Sequence, residues 1–224
     1  VQVDLDAIPV QGIDSLKPVD VSFGRELGYV VKLLAIAQSE AAGLALRVRP
    51  AFISTEHPLA WVSGPFNAIS VYGHAVGHTM YYGRGAGGSP TASAVTADII
   101  SSIIGTSDIV FSTLNIWPDR SPLARQLPPE ETQGRFYVRL TVEDKPGVFA
   151  KIAATLGEND ISLSSVLQKE PSTVHPDSVP VVITTHRVRE GNLRTALKTL
   201  DALPVVRQPS VCIEILDEHE EAFA

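Results

Sequence analysis

The chain has 224 residues, 44% of them hydrophobic, and 25 Asp or Glu against 18 Lys or Arg give it a net charge of −7. This composition supports one or two globular domains, and the negative charge argues against a nucleic-acid partner. Apolar runs stay below the roughly 18 residues of a membrane span, and the start at Val1 lacks a signal-peptide pattern. We therefore expect a cytoplasmic protein without a membrane partner, and we treat the sequence as part of a longer chain. Cys212 is the single cysteine, which excludes an internal disulfide.

The first part of the sequence predicts an α+β domain with a mixed sheet. A helix is expected to open at Lys17-Pro18, and apolar runs typical of buried strands follow at residues 29–37, 44–54 and 68–82. Ser89 is a good N-cap and Pro90 suits the first helical position, so a second helix is predicted from there to Gly105.

Residues 107–134 are proline-rich with little periodicity, and we interpret them as a linker. After it, alternation at Phe136 to Val142 indicates a strand, and apolar residues at helical spacing from Phe149 to Leu156 indicate a helix. Two strands, a helix and a final strand are predicted at residues 161–168, 179–188, 193–200 and 211–215. The order β-α-β-β-α-β is typical of the ferredoxin-like fold, with both helices on one sheet face. The uncovered face or edge favours pairing with a second copy.

The most distinctive motif is the glycine-rich run GRGAGGSPTASAV, which starts at Gly83. Glycines beside a helix start let a ligand approach backbone N–H groups. The run contains GxGxxG at Gly83, Gly85 and Gly88, but a dinucleotide-binding fingerprint requires a βαβ unit, and here one helix leads into the linker. The other interpretation from local sequence is a tight strand-to-helix turn that holds no ligand.

The string GRGAGGSPTASAVTADI, residues 83–99, resembles a signature segment of homoserine dehydrogenases. Upstream pieces resemble the same family in the same order: Gln11-Gly12-Ile13-Asp14, Asp20, Glu26-Leu27-Gly28-Tyr29, Val31 to Ala35, Val48-Arg49-Pro50, and His57-Pro58-Leu59-Ala60-Trp61-Val62 followed by Asn67-Ala68-Ile69. The resemblance implies that residues 1–106 are the C-terminal part of a catalytic domain that contributes to substrate binding and dimerisation.

In that family a nicotinamide cofactor, NAD or NADP, carries hydride between L-homoserine and L-aspartate 4-semialdehyde. The resemblance implies that Gly87, with Gly85 and Ala86 beside it, lies against the nicotinamide end of the cofactor. The family's dinucleotide-binding domain and catalytic lysine correspond to sequence upstream of Val1, so we expect no catalytic residue in this chain and no activity from it alone. The sequence leaves the choice between NAD and NADP open, because the selecting residues are also upstream.

Residues 135–216 resemble ACT domains, which bind amino acids as regulators or serve as dimer contacts. The segment RFYVRLTVEDKPGVFAKIAATLGENDISLSSVLQ carries the resemblance. It implies that Gly147 and Val148 hold an effector carboxylate at a helix N-terminus, that Asp144 holds its ammonium, and that Asn159 reaches the ligand from a neighbouring subunit. The resemblance also implies that the effector is L-threonine, acting as a feedback inhibitor.

The remaining features have ordinary structural interpretations. His74 and His78 lack a third ligand at metal-site spacing, so no metal is predicted. Cys212 is expected to be a small core or edge residue, and residues 217–224 an acidic tail. A different class of function stays open: a stand-alone amino-acid sensor or dimerisation module, in which the glycine turn has lost its ligand.

Overall fold

The computed structural model describes residues 2–115, 122–169 and 178–216. It divides into two compact units, one of Ala7–Thr55 with Arg125–Asp217 and one of Val1–Asp6, Glu56–Ala124 and Glu218–Ala224. The predicted domains, residues 1–106, 107–134 and 135–216, are each one continuous segment. The compact units are each assembled from separate segments, so the predicted boundaries stay a prediction. The predicted acidic tail, residues 217–224, lies outside the described residues.

In the larger unit, the C-terminal part contains strand β5 (Gln133–Glu143), helix α4 (Val148–Glu158), and strands β6 (Leu163–Gln168) and β7 (Ser178–Thr185). The short strand β8 (Val188–Arg189), helix α5 (Glu190–Asp201) and strand β9 (Val206–Ile215) complete it. The strands pair in the order β9-β5-β7-β6, every neighbour antiparallel. This confirms the predicted α+β fold with a ferredoxin-like tail. The single strand predicted at residues 179–188 was wrong in detail: a bend after Thr185 separates β7 from β8, which pairs with the start of β5.

Both helices of this part bury an apolar face against the same side of the sheet. Ile152 and Leu156 of α4 are almost wholly buried, as are Leu193, Ala196 and Leu200 of α5, and they pack with Leu140 and Ile183 of the sheet. At α4 the buried face includes Val148, whereas Phe149 is 40% exposed. The predicted apolar stripe is therefore correct in its period and displaced by one residue at its start.

The same sheet continues into residues that precede the linker. Helix α1 (Pro18–Glu26) leads into strands β1 (Tyr29–Glu40) and β2 (Gly43–Ser54), which pair antiparallel along their whole length. β2 then pairs parallel to β9, with Ala51 opposite Glu214 and Phe52 opposite Ile215. Local periodicity does not reveal this junction, because it joins residues about 160 positions apart.

Helix α1 packs on the sheet face opposite α4 and α5. Phe23 is buried there with Phe52 and Tyr137, and the last two rings meet edge to face at 5.1 Å between centroids. Part of the face for which a second copy was expected is thus covered by this chain itself, and self-association stays a prediction.

The smaller unit contains a short 3-10 helix (Pro58–Trp61), strands β3 (Phe66–Gly73) and β4 (Gly77–Arg84), and helices α2 (Gly88–Ile103) and α3 (Thr106–Leu114). β3 and β4 form an antiparallel hairpin, so the single strand predicted at residues 68–82 was wrong: the Gly73 to Gly77 segment reverses the chain direction. Helix α3 begins one residue before the predicted linker and occupies its first part; residues 116–121 of that linker fall outside the described residues. No described helix is long and apolar enough by itself to cross a membrane; α2 and α3 would pass that test only together, and they are bent by 81° at their junction.

Candidate functional site

The glycine turn joins the end of β4 to the start of α2. Residues 83–89 are all exposed. The N-cap of α2 is Gly87, with φ 124° and ψ 147°, and not Ser89 as predicted. Only glycine adopts this backbone conformation at low cost, so the helix begins two residues earlier than the Ser-Pro signal indicates. The Thr91 N–H donates to the Gly87 carbonyl at 3.1 Å.

The three residues predicted to contact a cofactor have different structural surroundings. A Cβ on Gly85 would lie 1.8 Å from Asn67 Nδ2, so a larger residue there would require the Asn67 side chain to move. A Cβ on Gly87 would meet only Pro90, at 3.4 Å or more, and Ala86 is exposed. Contact with Asn67 therefore favours glycine at position 85, whereas at Gly87 backbone conformation and open space remain as the reasons for glycine.

Histidines of the smaller unit form a cluster that the sequence did not predict. Tyr72 stacks on His78 at 4.4 Å between ring centroids, the His57 ring lies 5.7 Å from His78, and Ser70 Oγ lies 2.8 Å from His78 Nε2. His74 lies in the hairpin turn rather than on a strand face with His78. Among the described residues, no three His, Cys, Asp or Glu side chains converge as a metal site would require.

In the larger unit, the predicted effector turn precedes α4. Gly147 is the N-cap of the helix, with φ 84°, and a Cβ built there would meet no atom within 4 Å. Asp144 is exposed three residues earlier. The Val148 N–H already donates to the Lys145 carbonyl at 3.2 Å, and the Val148 side chain is buried. Asp144 and Gly147 thus share an open turn, while the Val148 amide has an acceptor in the chain.

Asn159 lies at the other end of the same helix. It is the C-cap residue of α4, and its Nδ2 donates to the Thr155 carbonyl at 2.8 Å. Twelve residue steps along α4, at 1.5 Å each, separate it from Gly147 by about 18 Å. One copy of the chain therefore does not bring Asn159 to the turn, and its predicted role requires a second copy.

Glu143, the last residue of β5, carries a negative charge beside this turn and pairs with two cations. Lys145 Nζ lies 2.7 Å from its carboxylate, and Arg207 forms a second ion pair with it. The hydrogen bond from Lys145, with the positive charge of Arg207, holds the pKa of Glu143 below its ordinary value despite partial desolvation. The turn therefore keeps Glu143 ionised beside two cations.

Sequence reasoning missed a buried charge cluster between α1 and β5. Asp20 is fully buried and accepts hydrogen bonds from Arg139 Nε at 2.6 Å, from the Tyr137 hydroxyl at 2.9 Å and from the Lys17 N–H at 3.1 Å. Burial, and then the Asp20 charge, raise the pKa of Tyr137 far above its ordinary value. An acidic residue in the first turn of α1 was visible in sequence, but its side-chain partners Tyr137 and Arg139 lie more than 110 positions away.

A second buried network joins β2 to α5 and β9. Arg47 bonds to the Glu214 carboxylate through Nε, at 2.7 Å, and through Nη2. Arg49 bonds to Glu190 through both terminal nitrogens, at 3.0 and 3.3 Å, and lies 3.7 Å from Glu214. Burial raises the pKa of Glu190, but the positive charges of Arg49 and Arg194 outweigh it and hold the pKa below the ordinary value. All four members of the network, Arg47, Arg49, Glu190 and Glu214, are less than 8% exposed.

Two segments of the chain match models of known protein families. Residues 1–100 match the family model "Homoserine dehydrogenase", and residues 136–205 match "ACT domain". Homoserine dehydrogenase of Helicobacter pylori is 43% identical over 92% of this chain and 47% of its own length; that of Pseudomonas aeruginosa is 37% identical over 96% and 50%.

Solved structures agree. The crystal structure of a homoserine dehydrogenase from Thiobacillus denitrificans superposes with a TM-score of 0.81 at 36% identity, over 92% of this chain and 47% of that one. Homoserine dehydrogenase of Staphylococcus aureus shares the fold, with a TM-score of 0.60 over 96% of this chain.

Fold and matches together define a two-part α+β chain whose residues 136–205 match the ACT domain model. Over 92% or more of its length the chain is similar to homoserine dehydrogenases, which confirms the resemblance seen in the sequence. It spans about half the length of the curated relatives it matches.

Proposed function

We propose that this chain supplies the substrate-side and regulatory half of an NAD- or NADP-dependent homoserine dehydrogenase, acting in the cytoplasm on amino-acid biosynthesis. The reaction would interconvert L-aspartate 4-semialdehyde and L-homoserine by hydride transfer. The family match over residues 1–100 together with the exposed backbone at Gly87 carries this proposal. The 224 residues alone are expected to show no turnover, because the resemblance implies no catalytic residue among them.

The glycine turn would provide the surface against which the nicotinamide lies. At Gly87 no side chain occupies the space outside the turn, and Ala86 presents only a methyl group. The cofactor, when bound, supplies the hydride. The role of the turn is to leave room for the ring and to offer backbone N–H groups of the first turn of α2 to a partner with lone pairs.

The test is a chimera in which this chain replaces the matching half of the Pseudomonas aeruginosa enzyme. We expect homoserine-dependent reduction of NAD or NADP. Ala86→Leu should lower kcat/KM at least tenfold, because its side chain fills the proposed cofactor space. The matched control is Ala75→Leu, an exposed alanine in the turn at the other end of the same hairpin, which should change little. A folded chimera without activity, or equal losses in both variants, would contradict the proposal.

We further propose that the turn before α4 binds an amino-acid effector, L-threonine, and that Asn159 contributes from a second copy. The open space at Gly147 and the exposed carboxylate of Asp144 favour this site. A ligand that binds the native state raises the melting temperature by mass action. Millimolar threonine should therefore stabilise the 224-residue chain, and Asp144→Asn should remove most of that shift.

The control for this effector test is Asp160→Asn, which removes a carboxylate at the other end of α4. It should leave the threonine shift intact. Analytical ultracentrifugation with and without threonine tests the role given to Asn159, since ligand binding across two copies must favour the dimer. Absence of any shift with threonine, isoleucine, methionine or lysine would leave dimerisation as the role of the ACT domain.

A further inference from the structure

A cavity of about 260 Å³ opens beside the buried Arg49–Glu190 ion pair, in the larger unit. Its wall includes residues of β2, β5, α5 and β9, and the segment around Gln11 and Ser15. Neither of the sites proposed above uses it: Asp144, Gly147 and Asn159 are not among its lining residues. This volume exceeds by many times the roughly 10–15 Å³ that one water needs, so the cavity has room for a small organic ligand.

The charges that line the cavity have both signs in equal number. Arg49 and Arg194 carry the positive charge, and Glu190 and Glu214 the negative charge. Apolar side chains form the rest of its wall, chiefly Leu193, Leu197, Phe136 and Val211. A singly charged ligand would leave this surface unbalanced, whereas a zwitterion with an aliphatic part matches both its charge and its apolar area.

Two of these charged groups retain hydrogen-bonding capacity. The buried Glu214 carboxylate receives two bonds from Arg47, and an ionised carboxylate accepts about four. Arg194 uses Nε and Nη2 on Glu190, while its Nη1 lies 3.6 Å from Glu130, longer than a hydrogen bond. An ammonium group can therefore be accepted at Glu214, and a carboxylate can bond to Arg194.

The thiol of Cys212 lies within reach of all four charges. Burial, and then the negative charges of Glu190 and Glu214, raise its pKa to about 12 against the opposing charges of Arg49 and Arg194. Cys212 lines the cavity and is the only cysteine in the chain. Its reaction rate with an alkylating reagent therefore reports whether the cavity is filled.

We propose that this cavity binds a small α-amino acid with an uncharged side chain, its carboxylate on Arg194 and its ammonium on Glu214. Because Arg49 belongs to the part that matches the dehydrogenase model and Glu190 to the part that matches the ACT model, an occupant contacts both. The proposal is separate from effector binding at Gly147 and can hold or fail without it.

The experiment uses the 224-residue chain and the rate of Cys212 alkylation by iodoacetamide at pH 8, with L-methionine, L-threonine or L-isoleucine at up to 20 mM. We expect at least one of them to slow alkylation fivefold or more at saturation. Arg194→Met should weaken that protection at least tenfold in ligand concentration, since it removes a charged hydrogen bond. Arg125→Met, an exposed arginine paired with Glu131 outside the cavity, should not.

Two further measurements distinguish binding in this cavity from binding at the turn before α4 and test the need for both charges of the ligand. Asp144→Asn should leave the protection of Cys212 unchanged. 3-(Methylthio)propylamine and 4-(methylthio)butanoate, each with one charge of methionine, should protect at least tenfold less well. The proposal is overturned if no amino acid protects Cys212, if Asp144→Asn abolishes protection, or if either singly charged analogue protects as well as methionine.

Discussion

The two compact units differ in what their apolar side chains contact. In the larger unit, α4 and α5 bury almost every large apolar residue of their inner faces, and Ile152, Ala196 and Leu200 are wholly buried. In the smaller unit, α2 and α3 have no buried residue, and Ile103, Ile104 and Ile109 are each more than 60% exposed. Monomeric soluble proteins rarely expose contiguous apolar surface of this kind. A segment can therefore form a helix without burying an apolar face. In the larger unit the helices are also stabilised by packing, whereas α2 and α3 bury no residue.

The largest effect should come from the buried charge cluster that fastens α1 to the sheet of the larger unit. Arg139→Met leaves Asp20 fully buried without its cation, and removing one partner of a buried pair costs about 3–5 kcal/mol. We expect that loss in the free energy of unfolding by urea. The control Arg125→Met, in an exposed pair, should cost less than about 1 kcal/mol. Equal effects would mean that Asp20 does not hold the two elements together.

A pair of matched isoleucine substitutions compares the two units directly. Ile152→Ala in α4 creates a cavity in a closed core and should cost about 3 kcal/mol. Ile100→Ala in α2, where the residue is 53% exposed, should change stability by about 0.5 kcal/mol or less. Urea unfolding followed by circular dichroism measures both. Comparable losses would show that α2 is packed in solution and that the two units bury their apolar side chains to a similar extent.

Acid should weaken the junction of β2 with α5. The pKa of Glu190 is lowered in the folded state, so its ion pairs contribute stability above its unfolded pKa, near 4.3, and that contribution disappears as pH falls further. Melting temperatures between pH 7 and pH 3 should fall, and Glu190→Gln should start lower at pH 7 and fall less steeply. Glu158→Gln, at an exposed position, should follow the unmodified chain. An unchanged slope in Glu190→Gln would contradict this assignment.

A smaller effect is expected in alkali, through Cys212. Its folded pKa is about 12 against an ordinary value of 9.0, so the unfolded chain ionises first and stability falls as pH rises above 9. At pH 10 the loss should be about 1 kcal/mol relative to pH 8. Cys212→Ala should lack this part of the pH dependence. If both proteins lose stability in parallel, the raised pKa assigned to this thiol is wrong.

Prediction from sequence succeeded where the signal was local. Alternation and helical spacing predicted the order of elements from β5 to β9, and the glycine-rich segment led to the correct family. The predictions that failed have local causes as well: a tight turn hidden inside residues 68–82, a two-residue bend after Thr185, and a glycine backbone conformation that moved the N-cap from Ser89 to Gly87. Helix α3 was missed because prolines further along dominated the composition of its segment.

What local sequence does not contain is long-range pairing. The junction of β2 with β9, and the partners of Asp20 and Arg49, depend on side chains that meet only after the sheet has formed. For the same reason the cavity beside Glu190 was not predicted: its charges come from three separate stretches of the chain. The site at Gly147 could be predicted from sequence because it consists of one local turn. The predicted role of Asn159 depends on a second copy of the chain.

The claim on which the account depends is that residues 7–55 and the ACT domain fold as one unit. Native-state hydrogen exchange tests it most directly, because it gives an opening free energy for each amide. We predict that the slowest amides of β2 and of α1 exchange with the same free energy as those of β5 and β9, and that amides of α2 and α3 exchange much faster. If β2 and α1 opened several kcal/mol more easily than β5 and β9, the continuous sheet and the buried Asp20–Arg139 pair would not describe the protein in solution.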